Sequence, residues 1–257
     1  MPAASSCPVG VYDVRKRFGH VEALRGVTLE ARRGEVLVVF GDNGAGKSTL
    51  LNVLAGVLRP DDGRVMIDGE VMAGTTIHDV QAKGVQVVYQ DLSLAPHLSV
   101  LENIYLGHEL ERRPRLLPVK TLDRSSMARR AHSALEELAI KLPDMRAPVS
   151  DLSGGQRQAI AIARAVMWSK IAVLMDEPTA ALGTRQSDIV CDTIRATAAR
   201  GLAAVVISHD IPRMLETADR VVVMRQGQIV LERMASRMTV THVVAAMVGQ
   251  EPANESV

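Results

Sequence analysis

The sequence predicts an α/β protein: a mostly parallel sheet with helices on both faces, interrupted by a helical stretch. Three observations carry that prediction. Short apolar runs recur at "EVLVVF" (35–40), "IAVLMDE" (171–177) and "AAVVISHD" (203–210), and runs apolar at nearly every position suit strands buried on both faces. The first two are followed by segments of helical periodicity, and alternating strand and helix argues for parallel strands joined by crossovers. The middle, about 91–165, breaks the alternation without starting a second series. It is expected to be a helical subdomain inserted into one domain spanning 1–257.

Taken in order, "VTLEARRGEVLVVF" gives two apolar runs separated by "ARRGE", and "RVMIDGE" reads as a short strand ending in an Asp-Gly turn. From Lys47 the period changes. Leu50, Leu51, Leu54, Val57 and Leu58 share one helical face, and Pro60 follows its end. In "DRSSMARRAHSALEELAI", Asp123 is a candidate N-cap, and Met127, Ala131, Ala134, Leu135 and Leu138 form an apolar stripe. Prolines between about 109 and 120 are expected to prevent regular structure there. Residues 185–199 read as a helix ended by Gly201, "RVVVMRQGQIVLE" as a hairpin turning near Gly227, and "EPANESV" as a loose tail.

Composition excludes several classes. Net charge is +1, from 30 basic and 29 acidic residues, and aromatics make up 2 %, so neither a basic field nor a base-stacking surface for nucleic acid is expected. "RKR" (15–17) and "ERR" (111–113) read as solvated turns. Cys7 and Cys191 lack paired spacing, and the seven histidines lack ligand spacing, so neither a disulfide framework nor a metal held by protein alone is expected. No window approaches 18 uninterrupted apolar residues and no signal segment opens the chain, which reads as cytoplasmic, held to a membrane only through a partner.

The chemistry begins at "FGDNGAGKSTLLNVLAG". Gly41 to Ser48 spells G-x-x-x-x-G-K-S directly after a buried strand and before a helix, the setting a phosphate-binding loop requires. Gly41, Gly44 and Gly46 let successive N–H groups face an anion at the helix N-terminus. Lys47 would reach the β- and γ-phosphates and the Ser48 hydroxyl a Mg²⁺ ion. The plainer alternative is a glycine turn before a helix. "IAVLMDEPT" ends a strand at Asp176, suited to Mg²⁺, followed by Glu177, placed to orient or deprotonate an attacking water or merely to cap a loop. "VVISHD" puts His209 at another strand end, and strand C-termini of an open α/β sheet gather in one crevice, where His209 would meet the same phosphate. Ser153, Gly154, Gly155 and Gln156 open a small-residue helix in "LSGGQRQAIAIARA", a second anion site at a helix N-terminus.

With L-S-G-G-Q added to the phosphate loop, the D-E strand end and S-H-D, the chain resembles the ATP-binding subunits of ABC transporters over about 9–232. The resemblance implies a RecA-like P-loop NTPase core with an N-terminal antiparallel β subdomain and the inserted helical one. It implies ATP as substrate with Mg²⁺. Nucleotide contacts would come from Gly41, Asn43, Gly44, Ala45, Gly46, Lys47, Ser48, Thr49 and, across a dimer, Ser153–Gln156. Glu177, His209, Lys47 and Gln90 would be catalytic, and Ser48, Gln90 and Asp176 would hold the metal. Phe18 stands where the family stacks adenine, with Tyr12 as competitor and a core Phe as the alternative. Gln90 in "VVYQDLSL" resembles the glutamine that relays the site's state to membrane partners.

The pattern departs at "PTAALG", where Gly183 replaces a common aspartate. The missing carboxylate, and backbone freedom closed to aspartate, are expected to loosen coupling between paired sites. "YQDLSLAPHLSVLENIYLG" and "EPTAALGTRQ" are similar to ATPases of ribose, xylose and fructose importers. The resemblance thus implies a sugar importer with permease subunits, a second ATPase subunit (a homodimer, or a pair with a related chain), a solute-binding protein outside, no nucleic acid, and a place on the cytoplasmic face of the membrane. An exporter ATPase, or a soluble relative acting on ribosomes or DNA, is the alternative.

Overall fold

A computed structural model describes residues 8–72, 76–112, 120–141 and 144–250. Cys7, the prolines at 114 and 118 and the tail expected to be loose lie outside them. The chain opens with strands β1 (Val9–Phe18), β2 (Val21–Ala31) and β3 (Val36–Phe40), then helix α1 (Lys47–Leu54) and strands β4 (Asp62–Ile67) and β5 (Glu70–Val71). Helix α2 (Ile77–Ala82) leads into β6 (Val85–Val88), α3 (Val100–Tyr105), β7 (Glu111–Arg112), β8 (Thr121–Leu122), α4 (Arg124–Glu137) and α5 (Gly154–Trp168). The last part holds β9 (Ala172–Asp176), α6 (Thr184–Ala199), β10 (Ala203–Ile207), α7 (Ile211–Thr217), β11 (Arg220–Arg225), β12 (Gln228–Met234) and α8 (Val240–Val248).

Two sheets result. The antiparallel one runs β2-β1-β4-β5, and the six-stranded one runs β12-β11-β3-β10-β9-β6, parallel except at the β12 edge. Strands β3, β9 and β10 are buried almost throughout because helices or the other sheet cover both their faces. On one face Val38, Phe40, Val173 and Val206 pack with Ile160 and Ile162 of α5 and Ile194 of α6. On the other, Leu37, Val39 and Leu174 join Leu50 and Leu51 of α1 and the β1–β2 residues Val11 and Leu24. The phosphate-loop helix is thereby packed between the two sheets.

Most expected elements appear, with corrections at α1 and at the 109–120 stretch. Helix α1 stops at Leu54 instead of running toward Pro60. Val57 and Leu58 both donate to the Asn52 carbonyl, a turn that leaves Val57 exposed. The stretch around 109–120 is not wholly irregular, since β7 and β8 pair as a short hairpin at its two ends. Helix α8 closes the chain's described part, capped by Thr239, whose Oγ1 accepts from the His242 N–H. The α4 reading holds: Asp123 caps it, accepting from the Ser126 N–H at 3.0 Å, and Met127, Ala131, Ala134, Leu135 and Leu138 are all buried. Between neighbouring strands β6 and β9 the chain runs through α3, the β7–β8 hairpin, α4 and α5, whose buried residues continue the sheet's core.

Candidate nucleotide site

Sheet order builds the site. Strand β3 lies inside the parallel sheet, with β11 on one side and β10, β9 and β6 on the other. The loop leaving β3 therefore sits among the C-terminal ends of all five, where α/β sheets place their ligands. A cavity of about 740 Å³ opens there. Its walls include Asn43, Gly44, Ala45, Gly46, Lys47, Ser48, Thr49, Gln90, Asp176 and Glu177. Residues as far apart in the chain as Asn43 and Glu177 are thus brought to one chamber, as the gathering of strand C-termini predicts.

The loop has no room for a side chain at Gly41 or Gly46. A Cβ on Gly46 would lie 2.5 Å from the Ala23 carbonyl oxygen, and one on Gly41 would strike the Met224 carbonyl. The α1 N-terminus, with Gly46 as its cap and no side-chain acceptor, leaves its first N–H groups facing the cavity. Lys47 is buried, and its ammonium donates to the carbonyls of Gly41 (2.6 Å) and Asp42 (3.0 Å). Burial lowers its pKa, against the attraction of Glu177, Asp42 and Asp176. Asp176 is pushed the other way, its pKa raised by burial and pulled back by Lys47. An anion entering here gains a desolvated cation and a row of unpaired backbone donors.

Glu177 turns because the strand has ended. Its φ of 50° is left-handed, a strained conformation for a residue with a side chain. Its N–H donates to the Ile207 carbonyl at 2.9 Å, fixing it beside β10. The carboxylate Oε2 lies 2.7 Å from His209 Nδ1 and accepts from the His209 N–H at 3.3 Å. His209 thus reaches the site through Glu177. It lines an adjoining hollow with Gly41, Asp42, Asn43 and Met247, not the main chamber.

Ser48, Gln90 and Asp176 present a hydroxyl, an amide and a carboxylate to the same chamber, hard oxygen donors of the kind Mg²⁺ takes. Among the described residues no group of three or more His, Cys, Asp or Glu side chains could hold an ion alone. That donor set suits an ion arriving with phosphate oxygens and water.

Besides His209 and Gly41, which line the adjoining hollow, two further expected contacts lie outside the chamber. Phe18 ends β1, about half exposed, with the Lys16 ammonium 5.8 Å from its ring centre. Its register partner Val21 is the residue that lines the wall. Its competitor Tyr12 points elsewhere, its hydroxyl donating to Glu30 at 2.6 Å and its ring facing Arg64. Ser153 to Gln156 do not line the chamber either. Ser153 caps α5 in a reciprocal box, its Oγ accepting from the Gln156 N–H while Gln156 Oε1 accepts from the Ser153 N–H. Gly155 also has a packing reason, since a Cβ there would come within 2.7 Å of Gln186 on α6.

Gly183 corrects an expectation. It is the N-cap of α6 with ordinary extended dihedrals (φ −72°, ψ 162°), and an added Cβ would meet nothing. Aspartate is not barred there by the backbone. The sequence reading missed the wall made by Val21, Glu22, Ala23, Arg25, Ile207 and Gln226. No local motif marks these residues; the "RQGQ" hairpin turn was the one available signal.

Comparison with known proteins agrees with this chemistry. Residues 24–180 match the family described as ABC transporter. The chain is 38 % identical to the xylose/arabinose import ATP-binding protein of Sulfolobus acidocaldarius over 92 % of both chains. It is 38 % identical to the fructose import ATP-binding protein of Rhizobium meliloti over 94 % of both. The ribose import ATP-binding protein 2 of Rubrobacter xylanophilus is 39 % identical over 97 % of this chain, which spans about half (47 %) of that relative's length. Among solved structures, the ADP conformation of an ATP-binding cassette of an ABC transporter superposes with a TM-score of 0.79 at 26 % identity, over 95 % of this chain and 99 % of that one. A dimeric post-hydrolysis cassette bound to ADP and Pi gives 0.71 at 26 %, over 88 % and 98 %.

Proposed function

This chain belongs to the ABC transporter family as an ATP-hydrolysing, ATP-binding subunit, and on that premise we propose that it powers the import of a monosaccharide through a membrane permease. The observation that carries the sugar assignment is the end-to-end match to two sugar-import subunits, one for xylose/arabinose and one for fructose, each covered above nine-tenths of its length. No helix among the described residues is long and apolar enough to cross a membrane. The chain acts from the cytoplasmic face, bound to permease subunits that a solute-binding protein supplies from outside. Its net charge of +1 gives no support to a nucleic-acid partner.

Gly41, Asn43, Gly44, Ala45, Gly46 and Thr49 wrap the phosphates of ATP. Lys47 releases its loop carbonyls and takes the β- and γ-phosphate oxygens instead, a trade of neutral acceptors for anionic ones. Ser48, Gln90 and Asp176 would hold Mg²⁺, which neutralises charge on the phosphates when bound. Glu177 accepts a proton from the attacking water, and His209 holds that carboxylate in place. Phe18, beside Val21 at the rim, closes over the base. The 91–165 segment serves as an inserted subdomain whose Ser153–Gln156 end serves a second subunit's nucleotide. Its absence from the wall of the chain's own chamber supports that division. Gln90, on the loop after β6, senses the site and faces the permease.

The test is reconstitution of the chain with its membrane subunits and solute-binding protein in lipid vesicles. ATP hydrolysis should rise when the binding protein carries a pentose or hexose, with labelled sugar accumulating on the far side. Isolation of the native chain with ribosomes or DNA, without membrane subunits, would contradict the reading.

A further inference from the structure

The nucleoside end of the chamber follows from sheet order. Asp176 ends β9 and Gln90 follows β6, both on one side of β3, while Gln226 follows β11 on the other side. A nucleotide whose phosphates lie on the loop from β3 toward Asp176 extends its base the opposite way, to the wall of Val21, Arg25 and Gln226. There the turn between β11 and β12 is clamped. The Gly227 N–H donates to the Ala45 carbonyl of the phosphate loop at 3.0 Å, and the Gly227 carbonyl accepts from the Arg25 N–H at 2.8 Å. A Cβ on Gly227 would come within 2.8 Å of the Ala23 carbonyl. Gln226 is therefore held at a fixed place relative to the phosphates.

Its own conformation is costly. Gln226 has a φ of 48°, left-handed, at a turn position where glycine or asparagine is the usual choice. Its exposed side chain forms no hydrogen bond among the described residues and lines the chamber. Strained residues with free polar groups facing a ligand chamber are candidates for ligand contact. A carboxamide both donates and accepts, which matches the 6-amino group and adjacent ring nitrogen of adenine.

Resting on the nucleotide reading above, we propose that Gln226 is a specificity-determining residue that hydrogen-bonds the edge of the adenine base, which lies against Val21. The experiment compares three probes on the full chain: ATP, purine riboside triphosphate, which lacks the 6-amino group, and inorganic tripolyphosphate. It uses the wild type, Gln226→Gly, which suits the left-handed turn, and Gln226→Glu, which keeps an acceptor. The wild type should prefer ATP over the purine nucleotide by about five- to tenfold, the worth of one hydrogen bond. Gln226→Gly should bring that ratio close to one, Gln226→Glu should retain part of it, and tripolyphosphate should bind all three alike. An unchanged ratio in Gln226→Gly, or no preference in the wild type, overturns the proposal while ATP binding stands. A wild type that binds tripolyphosphate but no better with any nucleoside attached overturns the nucleotide reading with it.

Discussion

At the scale of a single residue, the proposed hydrolysis turns on Glu177. Its left-handed φ swings the carboxylate out of the strand line, and its N–H bond to Ile207 and contacts with His209 hold it there. Neutralising it should separate hydrolysis from binding. Glu177→Gln keeps the shape and removes the charge that, in the proposed mechanism, takes the water's proton. Turnover should fall about 10²-fold or more while ATP affinity changes little. Lys47→Ala, by contrast, should weaken ATP binding itself, since the desolvated ammonium is lost from the phosphate loop. Single-turnover hydrolysis and nucleotide titration on the two variants check both expectations. Equal hydrolysis by wild type and Glu177→Gln would remove Glu177 from its role. At this scale the sequence was readable wherever the chemistry is contiguous. Gly41–Ser48, Asp176 and Glu177 announce themselves because a loop and one strand end each carry their own signature. Glu22, Arg25 and Gln226 did not, because the wall they share is assembled by strand pairing between distant segments.

Helix ends decide most of what happens at the scale of elements. Helices α3 and α5 begin with reciprocal capping boxes, at Ser99 with Glu102 and Ser153 with Gln156. Helix α6 begins at Gly183 with no side-chain cap. Since an added side chain meets open space, Gly183→Asp should fit, accept a hydrogen bond from the first turn and stabilise the fold by a few tenths of a kcal/mol. If a carboxylate contact between subunits is what this chain lacks, the same change should also sharpen cooperativity in ATP more than it alters affinity. Chemical denaturation and ATP-dependent hydrolysis curves read the two effects separately. Unchanged cooperativity in a folded variant shows the departure from the family pattern to be silent. The helix stripes were legible from periodicity, as α4 shows. The early end of α1 was not, because its residues Val57 and Leu58 continue the apolar pattern while the backbone turns on Asn52.

The two sheets are joined at the scale of the whole molecule by one buried cation. Arg220 at the start of β11 donates to both Glu35 oxygens (2.7 and 2.8 Å), to Glu232 on β12 and to the Glu30 carbonyl on β2. Burial alone would raise the Glu35 pKa, but the Arg220 hydrogen bonds and the Arg32 N–H hold it below its ordinary value. That stabilisation is present above the usual carboxylate pKa and is lost as pH falls through the lowered folded value. Arg220→Met strands the Glu35 carboxylate and should cost about 3–5 kcal/mol in denaturant unfolding at neutral pH. The loss should shrink in acid, where Glu35 protonates, and a cost under about 1 kcal/mol would show the pair to be dispensable. A lone arginine and glutamate 185 residues apart carry no signal in sequence, so this brace became visible only in the fold.

The central claim is that the active site is shared between two subunits, because one chamber holds the phosphate loop while the Ser153 helix end lies outside it. Mixed dimers test it most directly. Lys47→Ala damages the loop half of every site in its homodimer, and Ser153→Arg damages the signature half in its own. Mixed at random with the permease present, one dimer type gathers both damaged halves in one site and leaves the other intact. ATP hydrolysis should then recover to about a quarter of the wild-type rate if one intact site works alone. If turnover needs both sites, the mixed dimer should instead show one high-affinity ATP site that the Lys47→Ala homodimer lacks. Normal hydrolysis by the Ser153→Arg homodimer with its permease would contradict the shared site.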